Sequence, residues 1–576
     1  MQSTQLHRSN QPGSSFLLQL LGISSPTMLT HIDIEDKTIG TKVLLKNCSF
    51  GITEGAKIAI IGKNGAGKST LFRMLTGEDT DFHGSLEQKK GARIILTQQE
   101  HFGTAEITPL DYIKQSLPHY TEWQTTMQHF EEGADTSLDA TRAYSEAESL
   151  FRENGYYSVD ERIVEALERY GVTFEQAFSP FHTLSGGEKR FVELVRVSFA
   201  DADLVLLDEP TNHMDYVGKA QFTQWLAGTP LAVCVISHDR DVLEVVSSIY
   251  ELRDQRLHRF PGNYTAYLRQ NGVSTITRVS QYEESLKRLE NLHKQRMLAR
   301  TRKLSAKSDS GRNNAKTQEE RLTREYNELK LSLEKPSFWI DQETVASTRP
   351  KLLEGYQRYK DRTIHVRTNE VDEYRRTLLS VEDLSLGYEA PLFSGLDFTL
   401  AHGDRLHIKG RNGAGKSTLI RTLLATIAGE TSEAWIFAGT ITATEKLRIG
   451  LYEQEVDEVY LPMTLGHALT ELYHQKNVPL TDQALKQVLA SYLFDPLTDQ
   501  HLQISQLSGG QKARFQLISM LCANPNLLIL DEPTNHLDLP SIEELEKALR
   551  KYEGAILFVS HDSYFVRNIE AESIEI

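Results

Sequence analysis

Three cysteines in 576 residues (Cys48, Cys234 and Cys522) are too few and too far apart to staple a secreted scaffold or to complete a four-cysteine zinc site. Long apolar runs are also missing. No stretch approaches the ~18 residues that a membrane-crossing helix needs. The longest near the start, Phe16-Leu17-Leu18-Gln19-Leu20-Leu21-Gly22-Ile23, follows a single Arg8 and has no clean small-residue cleavage site, which argues against a secretory leader. Positive charge is in deficit. Lys and Arg number 63 against 79 Asp and Glu, a net charge of −16, which excludes a uniformly basic nucleic-acid binder but not a local basic segment. A chain with these absences is expected in a reducing, cytoplasmic compartment, with no membrane domain. What remains is ordinary globular composition, 39% hydrophobic and 25% charged, in a length that allows about three to five domains.

The chain repeats itself. Gly62-Lys63-Asn64-Gly65-Ala66-Gly67-Lys68-Ser69-Thr70 returns as Gly410-Arg411-Asn412-Gly413-Ala414-Gly415-Lys416-Ser417-Thr418. Leu184-Ser185-Gly186-Gly187-Glu188 returns as Leu507-Ser508-Gly509-Gly510-Gln511. Leu206-Leu207-Asp208-Glu209-Pro210-Thr211-Asn212-His213-Met214-Asp215 returns as Ile529-Leu530-Asp531-Glu532-Pro533-Thr534-Asn535-His536-Leu537-Asp538, and Ser237-His238-Asp239 as Ser560-His561-Asp562. Four elements in one order, twice, predict two homologous domains rather than a short-period solenoid. The boundaries expected are a disordered tail over 1–27, a first domain over 28–267, a linker over 268–377 and a second domain over 378–576.

Spacing shows where the copies differ. Gln99 to Ser185 is 86 residues (185 − 99), whereas Gln454 to Ser508 is 54 (508 − 454). The extra 32 residues (86 − 54) fall within 118–160, a polar stretch poor in Gly and Pro after Gly133, which predicts two helices forming an arm. Its nine acidic residues and two arginines give −7. In the linker, apolar residues recur at helical spacing over Gln281–Ser305 and Lys316–Leu333 around a helix-breaking stretch, Ser308–Asn314, which predicts an antiparallel helical hairpin. Lys294–Lys316 carries eight Lys or Arg and one Asp, +7 in an acidic protein. A basic hairpin tip of this kind favours a polyanion contact over simple solvation.

A Gly-x-x-x-x-Gly-Lys-Ser run between a β-branched stretch and a helical pattern is a phosphate-binding loop in its required context. Its glycines let backbone N–H groups turn inward at a helix N-terminus. Lys68 and Lys416 are expected at the β/γ-phosphates of ATP, and Ser69 and Ser417 at Mg²⁺. The apolar runs Leu204–Leu207 and Leu527–Leu530 each end in two carboxylates, which a parallel sheet delivers to the ligand at its strand ends. Asp208 and Asp531 suit the metal, and Glu209 and Glu532 are placed to polarise an attacking water.

With these motifs together, the chain resembles ATP-binding-cassette ATPases, and Asp-Glu-Pro-Thr-Asn-His-(Met/Leu)-Asp in both copies resembles their ABC-F subfamily. The resemblance implies two P-loop α/β cassettes joined by a long α-helical hairpin. By it, Leu184–Glu188 and Leu507–Gln511 are signature motifs, His238 and His561 switch histidines, and Gln99 and Gln454 glutamines beside nucleotide and metal. It further implies two head-to-tail ATP sandwiches within a monomer. One pairs Lys68, Gln99, Glu209 and His238 with Ser508, Gly509 and Gly510; the other pairs Lys416, Gln454, Glu532 and His561 with Ser185, Gly186 and Gly187. Leu384-Ser385-Leu386-Gly387-Tyr388 looks like the adenine-stacking loop, with Tyr388 as its aromatic. The matching stretch of the first copy, Thr38–Lys42, has no aromatic and offers only Ile39, which implies a weaker or less base-selective first site.

The ABC-F likeness also implies a partner: the ribosome, with the hairpin near Ser305–Lys316 entering the tRNA exit site towards rRNA and peptidyl-tRNA. Arg300, Arg302, Lys303, Lys307 and Arg312 would meet phosphates there without reading sequence. The role expected is a translation factor or an antibiotic-resistance, ribosome-protection factor. Against it stand a transporter's motor subunit, which would need separate membrane partners, and a DNA-binding ABC-F relative. The latter would carry a basic C-terminal coiled coil where this sequence stops, at Ile576.

Overall fold

A computed structural model of the chain describes residues 27–40, 42–63, 65–97, 106–133, 137–212, 214–305, 308–332, 377–452, 456–492, 494–507, 509–535 and 537–576. Within these it gives backbone alone for 42, 272–284, 286, 302, 305, 309–312, 328, 330–332, 509, 510, 540 and 544. The first repeat opens with β1 (Met28–Ile39) and β2 (Lys42–Thr53), an antiparallel pair that β4 (His83–Gln88) completes as a small sheet, while β3 (Lys57–Gly62) enters a second sheet. That sheet also holds β5 (Ile94–Leu96), β6 (Leu204–Asp208), β7 (Ala232–Ile236), β8 (Ser248–Arg253) and β9 (Arg256–Pro261), in the order β5-β6-β7-β3-β8-β9. Only the β8–β9 pair is antiparallel.

The second repeat builds the same two sheets. β10 (Thr377–Gly387), β11 (Pro391–Ala401) and β13 (Trp435–Ala443) form the antiparallel one. β12 (Arg405–Lys409), β14 (Ile449–Tyr452), β15 (Leu527–Asp531), β16 (Ala555–Val559) and β17 (Glu572–Glu575) form a parallel sheet in the order β14-β15-β16-β12-β17.

Strand composition explains this arrangement. A parallel sheet is covered on both faces, so its central strands read as continuous apolar runs rather than alternating ones. Ala232–Ile236 and Ala555–Val559 are buried throughout. One face of each sheet packs a large apolar cluster from the helical side, and the other packs the antiparallel sheet and the helix after the phosphate loop. Both strand-end carboxylate pairs therefore lie at the edge of a dry, fixed platform.

The extra residues of the first repeat form helices Tyr120–Glu131 and Leu138–Glu153, paired through Phe130 and Tyr144 with ring centroids 4.7 Å apart. Their inner residues Met127, Ala147 and Phe151 join the apolar core of the first repeat. The linker begins as a 42-residue helix, Tyr264–Ser305, and returns as Asp309–Ser332. At 1.5 Å per residue the first spans about 60 Å. Leu292, Ala299 and Leu322 are buried between the two, and Lys303 pairs with Glu319 across them at 2.8 Å.

Two details differ from the sequence reading. The first helix starts at Tyr264, not Gln281, because Tyr264 and Tyr267 are anchored in the core of the first repeat, so the boundary drawn at 267 falls inside a continuous helix. The helix-breaking stretch expected over Ser308–Asn314 is helical from Asp309 onwards, where the second helix begins. Ser and Asp favour helix starts, and the Gly and Asn that follow have a weak propensity that pairing with a long partner helix overrides. The rest of the linker, 333–376, lies outside the described residues.

The repeats face each other directly. Leu539 of the second packs into the apolar core of the first. Arg240 Nη1 donates to Glu546 Oε1 at 2.7 Å, with both side chains under a tenth exposed. Around this pair, Ser563 Oγ donates to Asp241 at 2.8 Å and the Tyr564 hydroxyl to Glu244 at 3.1 Å. Removing one partner of a buried ion pair strands the other charge, at a cost of about 3–5 kcal/mol. Arg240→Met should therefore lower the melting temperature sharply, whereas the double variant Arg240→Met, Glu546→Leu should recover most of the loss. Equal melting of the two variants in calorimetry would contradict this.

Candidate nucleotide sites between the repeats

Each phosphate loop leaves the end of a buried strand and feeds a helix, Lys68–Thr76 or Lys416–Ala428. The glycine before each helix, Gly67 or Gly415, sits at φ 107° or 100°, and Gly65 and Gly413 are also left-handed. Only glycine takes this turn cheaply, and it points N–H groups at whatever lies over the helix end. Both loop lysines are buried, 8% exposed, and fold back on their own loops. Lys68 Nζ donates to the carbonyl oxygens of Gly62 (2.7 Å) and Lys63 (3.3 Å), and Lys416 Nζ to those of Gly410 (2.9 Å) and Arg411 (2.8 Å).

Strands β6 and β15 end on the paired acids. In both copies the chain turns immediately after the aspartate. Glu209 and Glu532 each have φ 46°, a left-handed conformation that is uncommon for a side chain of this size. The N–H of Glu209 donates to Ile236 O (2.9 Å) and that of Glu532 to Val559 O (3.0 Å), so the turn is fixed by the neighbouring strand. The histidines come from the ends of those strands. His238 Nε2 lies 3.3 Å from Glu209 Oε1, and His561 Nε2 lies 3.3 Å from Glu532 Oε1. In the second copy the His561 backbone N–H also donates to Glu532 Oε2 at 3.2 Å. Burial pushes both glutamates well above the ordinary carboxylate range, Glu532 to about 7. Burial and the neighbouring loop lysine keep both imidazoles neutral, and His561 falls to about 3.

The second site is completed from across the interface. A cavity of about 670 Å³ is lined on one side by Tyr388, Lys416, Ser417, Asp531, Glu532 and His561. Asn412, Gly413, Gly415, Thr418 and Asn535 join them from the same repeat. Ser185, Gly186, Gly187, Met214 and Lys219 of the first repeat close it. Ser185 caps the helix Gly186–Phe199, so the positive end of that helix dipole faces the loop of Lys416. Asp215 reaches over as well, accepting from the Asn412 backbone N–H at 3.3 Å and lying 3.6 Å from the Arg411 guanidinium.

At the first site, Lys68 Nζ is 3.2 Å from His238 Nε2, and the Asp538 carboxylate of the second repeat is near enough to act on its charge. Asn64, Gln99, Gln454 and Ser508 lie outside the described residues. Gly509 and Gly510 begin the helix Gly509–Leu521, described there by backbone alone. Ser69 and Thr70 start the first loop helix as Ser417 and Thr418 start the second, and Ala66 and Ala414 sit within the loops. Ile39 is 53% exposed at the end of β1, whereas Tyr388 is 47% exposed and lines the second cavity.

Comparison with known proteins gives the family of the chain. The family model described as ABC transporter matches residues 45–212 and again 393–535. The chain belongs to the ATP-binding-cassette family. It is a tandem of two cassettes and an ATPase. It is 30% identical to the "Probable ATP-binding protein YbiT" of Escherichia coli O157:H7 over 542 residues, covering 93% of this chain and 94% of that protein. It is 29% identical to the "Ribosome protection protein VmlR" of Bacillus subtilis (strain 168) over 549 residues, covering 93% and 84%. Among solved structures, the fold is similar to that of the archaeal ribosome recycling factor aABCE1, crystallised with the ribosomal stalk protein aP1. There the TM-score is 0.53 at 15% identity, over 94% of this chain and 87% of that one.

Two features of the cassettes escaped the sequence reading. The left-handed glutamates carry no composition signal, because the strain comes from where the strand stops. Lys219 was legible in principle. Aligning the cassettes on Asp208 and Asp531, 323 residues apart (531 − 208), sets Lys219 opposite Ile542, an asymmetry visible without coordinates. The strain is testable. Replacing Glu209 or Glu532 by Gly should raise stability by about 1 kcal/mol while removing turnover, since Gly adopts φ 46° without the Cβ clash. Denaturant midpoints check this, and a lower midpoint for both variants would contradict it.

Proposed function

We propose that both cassettes hold Mg²⁺-ATP between them and hydrolyse it, and that the cycle controls engagement of the basic hairpin with the ribosome near the tRNA exit site. Lys68 and Lys416 neutralise the β/γ-phosphates, with backbone N–H groups of Gly62–Gly67 and Gly410–Gly415 around them. Ser185, Gly186 and Gly187 cap the γ-phosphate at the second site, and Ser508, Gly509 and Gly510 do so at the first. Ser69 with Asp208, and Ser417 with Asp531, have the hard-oxygen chemistry that suits Mg²⁺, with Gln99 and Gln454 beside it. No cluster of three or more His, Cys, Asp or Glu occurs among the described residues.

Glu209 and Glu532 orient the attacking water and take up its proton as its oxygen bonds to the γ-phosphorus and the β–γ bridging bond breaks. His238 and His561, neutral and against those carboxylates, hold them towards the water. Tyr388 stacks on adenine at the second site, and Ile39 is its apolar counterpart at the first.

The observation that carries the ribosomal part of this reading is the hairpin. It rises from the first cassette core and carries the basic segment, and none of its described residues lines the second cavity. Lys303 is tied to Glu319, Lys294 to Glu290 at 2.9 Å, and Arg296 lies over the Tyr326 ring at 4.7 Å. Arg300 is exposed. The similarity to a ribosome-protection protein supports the same partner. Among the described residues, no helix is long and apolar enough to cross a membrane, so a transporter role would need separate membrane partners. A translation or ribosome-protection role in the cytoplasm, for a monomer touching rRNA and peptidyl-tRNA, is the reading we favour.

Two outcomes follow. Glu209→Gln with Glu532→Gln should keep ATP binding, lose nearly all turnover, and co-sediment with ribosomes in ATP; normal hydrolysis would remove these residues from the mechanism. In the parent protein, a carboxylate raised to about 7 is protonated below that pH and ionised above it. With Glu209 raised to about 8 as well, the acid limb of kcat/KM should lie near pH 7–8, and a limb at pH 4–5 would contradict the assigned bases. The second outcome concerns the hairpin. Changing Arg300, Arg302, Lys303, Lys307 and Arg312 to Ser should spare basal ATPase while weakening ribosome binding and flattening its salt dependence. Unchanged affinity and slope would make the tip a solvated surface.

A further inference from the structure

His407 is a buried polar residue in the core of the second cassette, with no role yet in either nucleotide site. It lies on β12, the strand that leads into the second phosphate loop, and is 5% exposed. Its ring stacks on Phe558 of β16, with centroids 5.2 Å apart. Nδ1 lies 3.1 Å from Ser573 Oγ of β17, and Nε2 lies 3.0 Å from the carbonyl oxygen of Ser560. A carbonyl only accepts, so Nε2 carries the hydrogen and donates it. Burial holds the ring neutral, which leaves Nδ1 to accept from the Ser573 hydroxyl. The first cassette is built differently. The strand register that sets His407 opposite Ser573 sets Ala59 opposite Ile249 there, and both of those are fully buried in apolar core.

We propose that His407 is a positioning residue for hydrolysis at the second site: it fixes the peptide between Ser560 and His561 and, through that peptide, the carboxylate of Glu532. This deepens the assignment of Glu532 as the residue that orients the water, and rests on it.

A single peptide group joins the two residues. Its carbonyl, from Ser560, accepts from His407, and its N–H, from His561, donates to Glu532 Oε2 at 3.2 Å. In a planar trans peptide these groups point in opposite directions, so a donor held on the carbonyl side sets the aim of the N–H. A hydrogen bond on the carbonyl also polarises the N–H beyond it. The same backbone carries the His561 ring, whose Nε2 lies 3.3 Å from Glu532 Oε1. Both carboxylate oxygens are therefore met from one backbone unit. His407 stands three residues before Gly410 (410 − 407), so the residue that pins this unit shares a strand with the start of the phosphate loop. Ser560 is 4% exposed, and a carbonyl left without its donor there is not met by bulk water. In the first cassette the side chains of Ala59 and Ile249 carry no donor, so these positions give the peptide before His238 no such hold. The two sites thus differ in how the water-orienting carboxylate is kept in place.

The test is hydrolysis resolved by site in the full chain, using a photoreactive ATP analogue labelled on either the α- or the γ-phosphate. Irradiation at intervals, then digestion, reads occupancy from the α label and unhydrolysed nucleotide from the γ label on second-cassette peptides. Three variants are compared with the parent. His407→Ala removes the donor. The pair His407→Ala, Ser573→Ile installs the apolar pair of the first cassette, and His407→Gln keeps an amide N–H to replace that of Nε2. The expected result is a γ-label decay about tenfold slower in His407→Ala, with half-saturation by the α label unchanged. The pair stays as slow although its melting temperature returns towards that of the parent, and His407→Gln regains most of the rate. Decay that follows melting temperature across the three variants, a parental rate in the pair, or a Gln variant as slow as Ala overturns the proposal. Glu532→Gln is measured alongside. If its γ label decays at the parental rate, the role of Glu532 itself fails; if that label persists while His407→Ala decays like the parent, only the role of His407 fails.

Discussion

Everything at the second nucleotide site depends on one constraint: its phosphate loop and its closing groups belong to different halves of the chain. Lys416, Asp531 and Glu532 sit at strand ends of the second cassette, and Ser185, Asp215 and Lys219 arrive from the first. Residues of both halves line the second cavity. Of the cations that restrain Glu532, Lys219 comes from across the interface and Lys416 from its own cassette.

The same interface explains why so much polar material is tolerated inside it. A buried Arg240–Glu546 pair, the serine and tyrosine contacts around it and Leu539 in the neighbouring core fix one register between the cassettes. A purely apolar face would hold the halves together without specifying the angle. The angle matters because the helix Tyr264–Ser305 grows directly out of the first cassette beside Tyr564, whose ring meets that of Tyr264 at 6.3 Å. A small rotation at this seam is carried about 60 Å along a stiff helix.

Much of this was legible in the residues. The two phosphate loops, the apolar strands with their terminal acids and the hairpin could be read because each depends on local pattern: glycine spacing, continuous apolar runs, or helical periodicity. Gly67 and Gly415 do adopt the left-handed turn that their motif requires. What escaped depends on contacts far apart in sequence. Tyr264 extends the linker helix by packing into a core that periodicity does not see. The strain at Glu209 and Glu532 comes from the neighbouring strand, through Ile236 and Val559. Lys219 lines the same cavity as Glu532, more than 300 positions away, although it belongs to the first cassette.

The central claim is that the signature of the first cassette serves the loop of the second. Nucleotide trapping with a photoreactive ATP analogue tests it most directly, in a Gly187→Asp variant digested and read peptide by peptide. The account predicts that trapping on the peptide carrying Lys416 is lost while the peptide carrying Lys68 is still labelled. Loss of label from the Lys68 peptide, with the Lys416 peptide unaffected, would contradict it.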